Sequence, residues 1–170
     1  MTNKIYNVLF LCTGNSARSI LGEALMNQLG QGRFRGYSAG SQPKGEVHPE
    51  ALRLLSGLGF ETAGLSSKSW DAFSGPDAPQ FDFIFTVCDN AAGETCPVWI
   101  GHPMTAHWGI EDPAAVEGAG QAEAFRRAFH FLRQRIDMFL SLPLEGADQE
   151  VTARALREIG QLDGATGGAA

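Results

Sequence analysis

Cys12 and Arg18 stand six positions apart in the stretch LCTGNSARS, with five small residues between them. An apolar run precedes the cysteine and a helical pattern follows the arginine, so backbone N–H groups of this turn can converge on an anion. Arg18 can add two parallel charge-assisted hydrogen bonds to a tetrahedral oxyanion. The same positive potential should lower the pKa of Cys12 and favour its nucleophilic thiolate. The sequence therefore predicts a nucleophilic cysteine in an oxyanion-binding loop. The expected members of this loop are Thr13, Gly14, Asn15, Ser16, Ala17, Arg18 and Ser19.

Two residues of the loop have expected supporting roles. The hydroxyl of Ser19 can donate a hydrogen bond to the thiolate, and the amide of Asn15 can brace the loop. The plainer alternative is a buried cysteine at a strand end beside a helix-capping turn. The coincidence of a strand, a glycine, an arginine and a serine in one stretch favours the catalytic interpretation.

Two further cysteines, Cys88 and Cys96, bear on which reaction this loop performs. A phosphatase needs a nucleophilic cysteine, an arginine and a general acid, whereas reduction of an oxyanion also needs electrons, which neighbouring thiols supply by forming a disulfide. Cys88 ends an apolar run that we expect to neighbour the strand before Cys12. The alternative is one core thiol and one incidental loop thiol.

Apolar runs alternate with helical patterns along the chain and must position these residues. The runs cover residues 5–11, 34–40, 81–88 and 104–110, and the helical patterns cover residues 20–29, 48–59, 125–140 and 151–162. This alternation predicts an α/β domain with a doubly wound parallel sheet, in which ligands bind at the carboxyl ends of the strands. We expect a single domain over residues 1–163 and a disordered tail over residues 164–170.

The composition of the 170 residues restricts the class of protein. A hydrophobic fraction of 44% is enough for one self-supporting core. The net charge of −6 and the absence of basic runs argue against nucleic acid or an anionic membrane as the partner. The N-terminal apolar run is too short for a signal peptide or a membrane span. We therefore expect a cytoplasmic protein, in which an odd number of cysteines is unlike a structural disulfide framework.

The motifs LCTGNSARS, YSAG, VCDNA and HWGIEDP resemble those of the low-molecular-weight protein tyrosine phosphatase superfamily. Within it, the chain is most similar to the arsenate reductases that thioredoxin reduces, and the resemblance covers residues 5 to about 140. It implies a four-stranded parallel sheet flanked by helices. It also implies arsenate as the substrate, phosphate as a competing anion, a monomer, and a role in arsenic detoxification.

The resemblance also implies a relay of thiols. Cys12 attacks arsenate, Cys88 attacks Cys12 and releases arsenite, and Cys96 then forms a disulfide with Cys88 that is presented to thioredoxin. Seven residues separate Cys88 from Cys96, one more than in the best-known members, so glutaredoxin with glutathione stays open as the reductant. No tightly bound cofactor and no metal are expected.

Asp112 in EDP matches the general acid of the phosphatases, which protonates the leaving oxygen. The alternative is a capping residue before Pro113. Phosphatases of this superfamily usually place aromatic residues just after the Asp-Pro pair to hold phosphotyrosine. This chain has AAV there, which favours a small inorganic substrate.

In some reductases of this branch, equivalents of Asn15, Glu23 and Ser38 hold a potassium ion together with an aspartate. Lys68 takes the place of that aspartate here, and its ammonium could brace Asn15 instead of the ion. We therefore expect no potassium requirement. The alternative is a solvated surface lysine.

Three other functions stay open at this stage. The first is a phosphatase that hydrolyses phosphomonoesters through a phosphocysteine at Cys12. The second is a zinc protein with Cys88, Cys96, His102 and His107 as ligands, although their spacings of eight, six and five match no common zinc pattern. The third is a module that binds an oxyanion without turnover.

Overall fold

The computed structural model describes residues 4–89 and 103–166. Within these ranges, four parallel strands form one sheet in the order β2-β1-β3-β4. The strands are β1 (Tyr6–Leu11), β2 (Phe34–Ala39), β3 (Phe83–Thr86) and β4 (Met104–His107). Their registers align the carboxyl ends, since Leu11 pairs with both Ala39 and Thr86, and Thr86 pairs with His107. The residues that follow β1, β2, β3 and β4 therefore meet at one edge of the sheet.

Four α-helices pack with the sheet in the described part of the chain. They are α1 (Arg18–Leu29), α2 (Pro49–Gly57), α3 (Gln121–Leu140) and α4 (Gln149–Gly160). The helix starts follow from local chemistry: the His48 ring accepts a hydrogen bond from the N–H of Glu50, and Asp148 caps α4 in the same manner. Gly30 follows the last residue of α1, and its N–H donates to the carbonyl of Met26. No helix of the described residues has the length and apolar character that crossing a bilayer requires.

The side chains of β1 alternate between two hydrophobic clusters. Val8 and Phe10 join the larger cluster beneath the helices, whereas Leu9 and Leu11 join a smaller one with Phe81 on the opposite face. All four are at most 1% exposed, as a central strand covered on both faces requires. A fully buried first strand gives Cys12 a rigid support.

The C-terminal segment returns to the sheet. Ala165 forms an antiparallel bridge with Ile110, and the N–H of Thr166 donates to the carbonyl of Gly109. Ala165 and Thr166, which lie within the tail predicted from residue 164, therefore contact the domain, because their backbone groups pair with residues just beyond the end of β4. The part of that predicted tail after Thr166 lies outside the described residues.

Candidate active site

The loop between β1 and α1 is held from outside through its carbonyl groups. Backbone N–H groups of the segment after β2 donate to three of these carbonyls. The bonds join Gln42 to Thr13, Lys44 to Gly14 and His48 to Ser16, at 2.9–3.0 Å. Because C=O and N–H point to opposite sides of a trans peptide, the N–H groups of these peptides face the inside of the loop. The N–H of Gly14 accordingly donates to the thiol of Cys12.

Cys12 and Cys88 lie in contact at the carboxyl ends of β1 and β3. A hydrogen bond joins the two thiols, which are buried with 6% and 3% exposure. The Sγ of Cys88 also accepts a hydrogen bond from the N–H of Thr13 at 3.3 Å. The structure thus brings together two cysteines that are 76 positions apart in sequence.

The pKa of Cys12 is raised in this arrangement. The hydrogen bond with Cys88 and burial raise it, whereas Arg18 and the N–H of Gly14 lower it. The expected lowering contributions exist, but the predicted net direction is wrong, because the sequence did not show that a second thiol would touch the first. Two thiols in contact resist double ionisation, so the pair holds one thiolate at a time.

Arg18 has a donor group without an acceptor. Its Nη1 donates to the carbonyl of Ile110 at 2.8 Å, and its Nη2 lies 3.7 Å from the carboxylate of Asp112. Its Nε–H is buried and has no hydrogen-bond partner among residues 4–89 and 103–166. A buried unpaired donor is costly, so an anion that accepts from Nε would complete the arginine's hydrogen bonding.

A cavity of about 260 Å³ opens above the two thiols. It is lined by Cys12, Thr13, Gly14, Asn15, Ser16, Ala17, Arg18, Gln42, Lys44, Cys88 and Asp112. These residues include no aromatic side chain. The first turn of α1 borders the cavity and carries neither an acidic residue nor a side-chain cap, so the positive potential of the helix N-terminus is uncompensated there. The cavity suits a small anion.

Asp112 caps a turn and also lines the cavity, so a role as general acid stays a prediction. Its Oδ1 accepts a hydrogen bond from the N–H of Ala114 at 3.0 Å and so caps the short helical turn Pro113–Ala115. Its Oδ2 faces Arg18, and the residue lines the cavity. The side chain is 40% exposed.

Asn15 and Ser19 form a fully buried pair behind the loop. The amide of Asn15 donates to the hydroxyl oxygen of Ser19 at 2.8 Å, and the residue adopts the left-handed conformation (φ 45°) that asparagine tolerates. Ser19 is not among the residues that line the cavity, and its hydrogen bond to the Cys12 thiolate stays a prediction. It lies on the first turn of α1, one position beyond Arg18, and supports Asn15 from behind.

Lys68 contacts the loop differently from the prediction. Its backbone N–H, not its ammonium, donates to Asn15 Oδ1 at 2.8 Å. The ammonium donates to the carbonyls of Ser38 and Ser66 and lies 3.9 Å from the carboxylate of Glu23. Burial lowers the pKa of Lys68 and raises that of Glu23. Lys68 is thus a partly buried cation among oxygen atoms, which is inconsistent with a solvated surface lysine.

Sequence reasoning missed Gln42 and Lys44, which line the cavity from the loop after β2. Their position after a predicted strand was a usable signal, because ligands of such a sheet bind at the carboxyl ends of its strands. Their exact place depends on the backbone bonds to Thr13 and Gly14.

The residues of the alternative zinc site have other partners where the structure describes them. His107 Nε2 lies 2.8 Å from Asp89 Oδ1, and Cys88 contacts Thr13. Cys96 and His102 lie outside the described residues. No group of three or more potential ligands that could hold a metal occurs among residues 4–89 and 103–166.

Comparisons with known proteins agree on one family. The model of the family described as low molecular weight phosphotyrosine protein phosphatase matches residues 7–153. An arsenate reductase of Bacillus subtilis (strain 168) is 34% identical over 118 residues, which cover 69% of this chain and 80% of that protein. One from Shouchella clausii is 32% identical over 141 residues, which cover 82% of this chain and 96% of that protein.

A solved structure described as an arsenate reductase in the phosphate binding state superimposes with a TM-score of 0.64 at 26% identity. The alignment covers 78% of this chain and 94% of that one. The four-stranded parallel sheet and the loop that carries Cys12 are thus found together with a family match over most of the chain. The chain belongs to the low molecular weight phosphotyrosine protein phosphatase family.

Proposed function

We propose that this protein is an enzyme that reduces arsenate to arsenite with electrons from its own thiols. The observation that carries the proposal is the contact between Cys12 and Cys88 beneath an anion-sized cavity, next to the unpaired Nε–H of Arg18. Hydrolysis of a phosphate ester needs only the first thiol. A second buried thiol in contact with the nucleophile has a chemical use in a reduction.

The proposed reaction begins with attack by the Cys12 thiolate on arsenic. An oxygen of arsenate leaves as water after protonation, for which Asp112 is the proposed acid. Arg18 and the inward N–H groups of the loop stabilise the oxyanion throughout. The product of this step is a Cys12 sulfur–arsenic(V) adduct.

Cys88 then supplies the electrons. Its thiolate attacks Sγ of Cys12, the sulfur–arsenic bond breaks, and the bonding electron pair stays on arsenic. Arsenic(V) becomes arsenic(III), arsenite leaves, and a Cys12–Cys88 disulfide remains. The two thiols already share a hydrogen bond, so little movement is needed for this step.

Cys96 is the proposed third thiol, by the resemblance of VCDNA and its neighbours to thioredoxin-coupled reductases. Its thiolate attacks Cys88, frees Cys12, and leaves a Cys88–Cys96 disulfide that accepts two electrons from thioredoxin. Glutaredoxin with glutathione is the alternative donor. We further propose that the enzyme acts in the cytoplasm in arsenic detoxification.

A second candidate function, hydrolysis of small phosphomonoesters, is favoured by one observation. Asp112 lines the cavity beside Arg18, where an acid could protonate an ester oxygen. The cavity lining that the structure describes lacks the aromatic side chains that would hold phosphotyrosine. We therefore expect any such activity to be weak and limited to small substrates.

The deciding experiment measures arsenite formation with thioredoxin, thioredoxin reductase and NADPH, beside a parallel assay with glutaredoxin and glutathione. We expect turnover by the parent protein, none by Cys12→Ser, and none by Cys88→Ser. Cys88→Ser should keep its activity toward a small aryl phosphate, because the nucleophile is intact. Cys96→Ser should release one arsenite per molecule and stop as a Cys12–Cys88 disulfide. Normal arsenate turnover by Cys88→Ser would refute the relay.

A further inference from the structure

We propose that His107 positions Cys88 for its attack on Cys12 through a hydrogen bond to Asp89. Thr166, in the C-terminal segment, supports the same position through a second hydrogen bond to Asp89. The inference rests on the proposed function, since it concerns the thiol that we assign to arsenite release. His107 acts through its neighbours and touches no reacting atom, so it is a positioning residue.

The hydrogen-bonded chain starts on the sheet and ends beside the thiol. His107 and Thr86 are in register on β4 and β3, and Nδ1 of His107 lies 2.8 Å from the Thr86 hydroxyl. Nε2 lies 2.8 Å from Oδ1 of Asp89, the residue that directly follows Cys88. These hydrogen bonds thus link the paired strands β3 and β4 to the residue that follows Cys88.

The proton positions in this chain follow from charge. The hydrogen bond with His107 lowers the pKa of Asp89, so the carboxylate is ionised and accepts. Nε2 therefore carries the proton of this bond, and Nδ1 is in turn hydrogen-bonded to the Thr86 hydroxyl. Both ring nitrogens are engaged, which leaves no lone pair to take a proton from Cys88 and excludes a general-base role in this arrangement.

Gly109 permits the close pairing of His107 and Asp89. A Cβ at this position would lie 2.5 Å from Nε2 of His107 and 2.8 Å from Oδ1 of Asp89. Any side chain would therefore push the pair apart. The backbone beside β4 is shaped for this hydrogen bond.

The C-terminal segment adds a third bond to Asp89. The Thr166 hydroxyl donates to Asp89 Oδ1 at 3.0 Å, and its N–H donates to the carbonyl of Gly109 at 3.2 Å. Buried Arg135 holds the same segment by donating to the carbonyls of Leu162 and Asp163 at 3.0 Å. The family match ends at residue 153, so the Thr166 hydroxyl that bonds to Asp89 lies beyond the matched region.

The contacts restrain Cys88 on two sides. Its Sγ accepts from the N–H of Thr13, and the next residue is tied to His107 and Thr166. A thiol restrained beside its target reacts at a high effective concentration. Loss of the His107–Asp89 bond should therefore weaken the Cys12–Cys88 disulfide relative to the two free thiols.

The test uses the full chain with Cys96→Ser, so that Cys12 and Cys88 are its only thiols. The protein is equilibrated with reduced and oxidised glutathione, which exchange two electrons with the thiol pair, and the Cys12–Cys88 disulfide is quantified by mass spectrometry after alkylation. With His107→Gln we expect the equilibrium constant for the disulfide to fall about tenfold, which is about 30 mV for a two-electron couple. Thr166→Val should cause a smaller fall of the same sign.

Two further variants make the result interpretable. Asp89→Asn, at a half-exposed side chain, removes the ionised acceptor with little risk to folding and should lower the constant like His107→Gln. His130→Gln, an exposed histidine on α3, is the matched control and should leave it unchanged. Competition by phosphate for Cys12 alkylation should stay at the parent level in all of them, because the anion loop is intact.

Constants within about twofold of the parent in both His107→Gln and Asp89→Asn would overturn the proposal. The measurement contains no arsenate, so its outcome is independent of the arsenite assay. Failure to reduce arsenate would refute the proposed function, whereas an unchanged thiol equilibrium would refute the positioning role alone.

Discussion

At the residue scale, the contact between Cys12 and Cys88 determines how the nucleophile ionises. The hydrogen bond with Cys88 is the largest cause that raises the pKa of Cys12, and Arg18 opposes it. An anion site beside an arginine would by itself favour the thiolate. The resting enzyme therefore keeps its nucleophile less ionised than the loop alone would.

Cys88→Ala should lower the pKa of Cys12, because the partner that raises it most is removed while Arg18 stays. The rate of iodoacetamide alkylation of Cys12 against pH reports this value, in a protein that also carries Cys96→Ser. A downward shift of one pH unit corresponds to about 1.4 kcal/mol and raises the thiolate fraction about tenfold below the midpoint. An unchanged or higher midpoint of the alkylation curve would contradict the effect of Cys88 on the pKa of Cys12.

Arg18→Lys should weaken phosphate binding about 30-fold or more, since a point charge replaces a planar fork with an unpaired Nε–H. This corresponds to about 2 kcal/mol. Phosphate competition with Cys12 alkylation measures the affinity. Arg53→Lys on α2, at a side chain that is 71% exposed, is the control and should bind phosphate normally. An Arg18→Lys protein with the parent's affinity would remove the guanidinium from the anion site.

At the element scale, the oxyanion loop depends on the two strands beside β1. β2 leads into the segment that binds the loop carbonyls, and β3 brings Cys88 to Cys12. Gly40 directly follows β2 and packs against the oxyanion loop between β1 and α1. A Cβ there would overlap the carbonyl oxygens of Cys12 and Thr13 and touch Asn15.

Gly40→Ala should therefore displace the loop backbone and lower phosphate affinity at least about tenfold, or about 1.4 kcal/mol, at a stability cost of about 1–3 kcal/mol. Phosphate competition and urea unfolding measure the two effects. Gly57→Ala in α2 meets no neighbouring atom within 4 Å and is the matched control. It should bind phosphate normally and gain about 0.5–1 kcal/mol of stability from helix propensity. Equal phosphate affinities in the two variants would contradict the close packing at Gly40.

The ammonium of Lys68 lies among oxygen atoms of Ser38, Ser66 and Glu23. We therefore predict that exchanging sodium for potassium leaves the melting temperature and the arsenite rate of the parent unchanged. Lys68→Asp replaces the ammonium by a carboxylate, and potassium should then raise the melting temperature of the variant. A rise in the parent on addition of potassium would show that a cation binds despite the lysine.

At the scale of the whole molecule, α3 connects the core to the C-terminal segment through Arg135. This side chain is fully buried, and its guanidinium donates to carbonyls at Phe131, Leu162 and Asp163. Burial lowers the pKa of Arg135. Its hydrogen bonds hold the segment that reaches Asp89 beside the thiols.

Arg135→Met should cost about 2–4 kcal/mol of stability, because three carbonyls lose the charged donor that a fully buried side chain supplies. Urea unfolding gives the loss, and hydrogen exchange at the Thr166 amide, which donates to Gly109, should accelerate. Arg133→Met removes an exposed arginine that is 3.8 Å from Asp137 and should change stability by less than about 0.5 kcal/mol. Parent-like exchange at Thr166 in Arg135→Met would mean that the segment is held by other contacts.

The sequence by itself determined the features that depend on neighbouring residues. The apolar runs and helical periodicities predicted the α/β class and the order of strands and helices, and the spacing of Cys12 and Arg18 predicted an anion loop at a strand end. These signals are local, because strand burial, helix amphipathicity and the turn between them are each encoded within a few consecutive residues.

Only the tertiary structure decided which distant side chains meet. Strand register set the contact of Cys12 with Cys88 and reversed the expected pKa shift, and packing placed Ser19 behind the loop and turned the backbone of Lys68 toward Asn15. The hydrogen bonds to Asp89 likewise come from His107 and Thr166, which are 18 and 77 positions away in the sequence. Such contacts depend on angstrom-scale registry between elements that are far apart in the chain, and composition and periodicity carry no information about that registry.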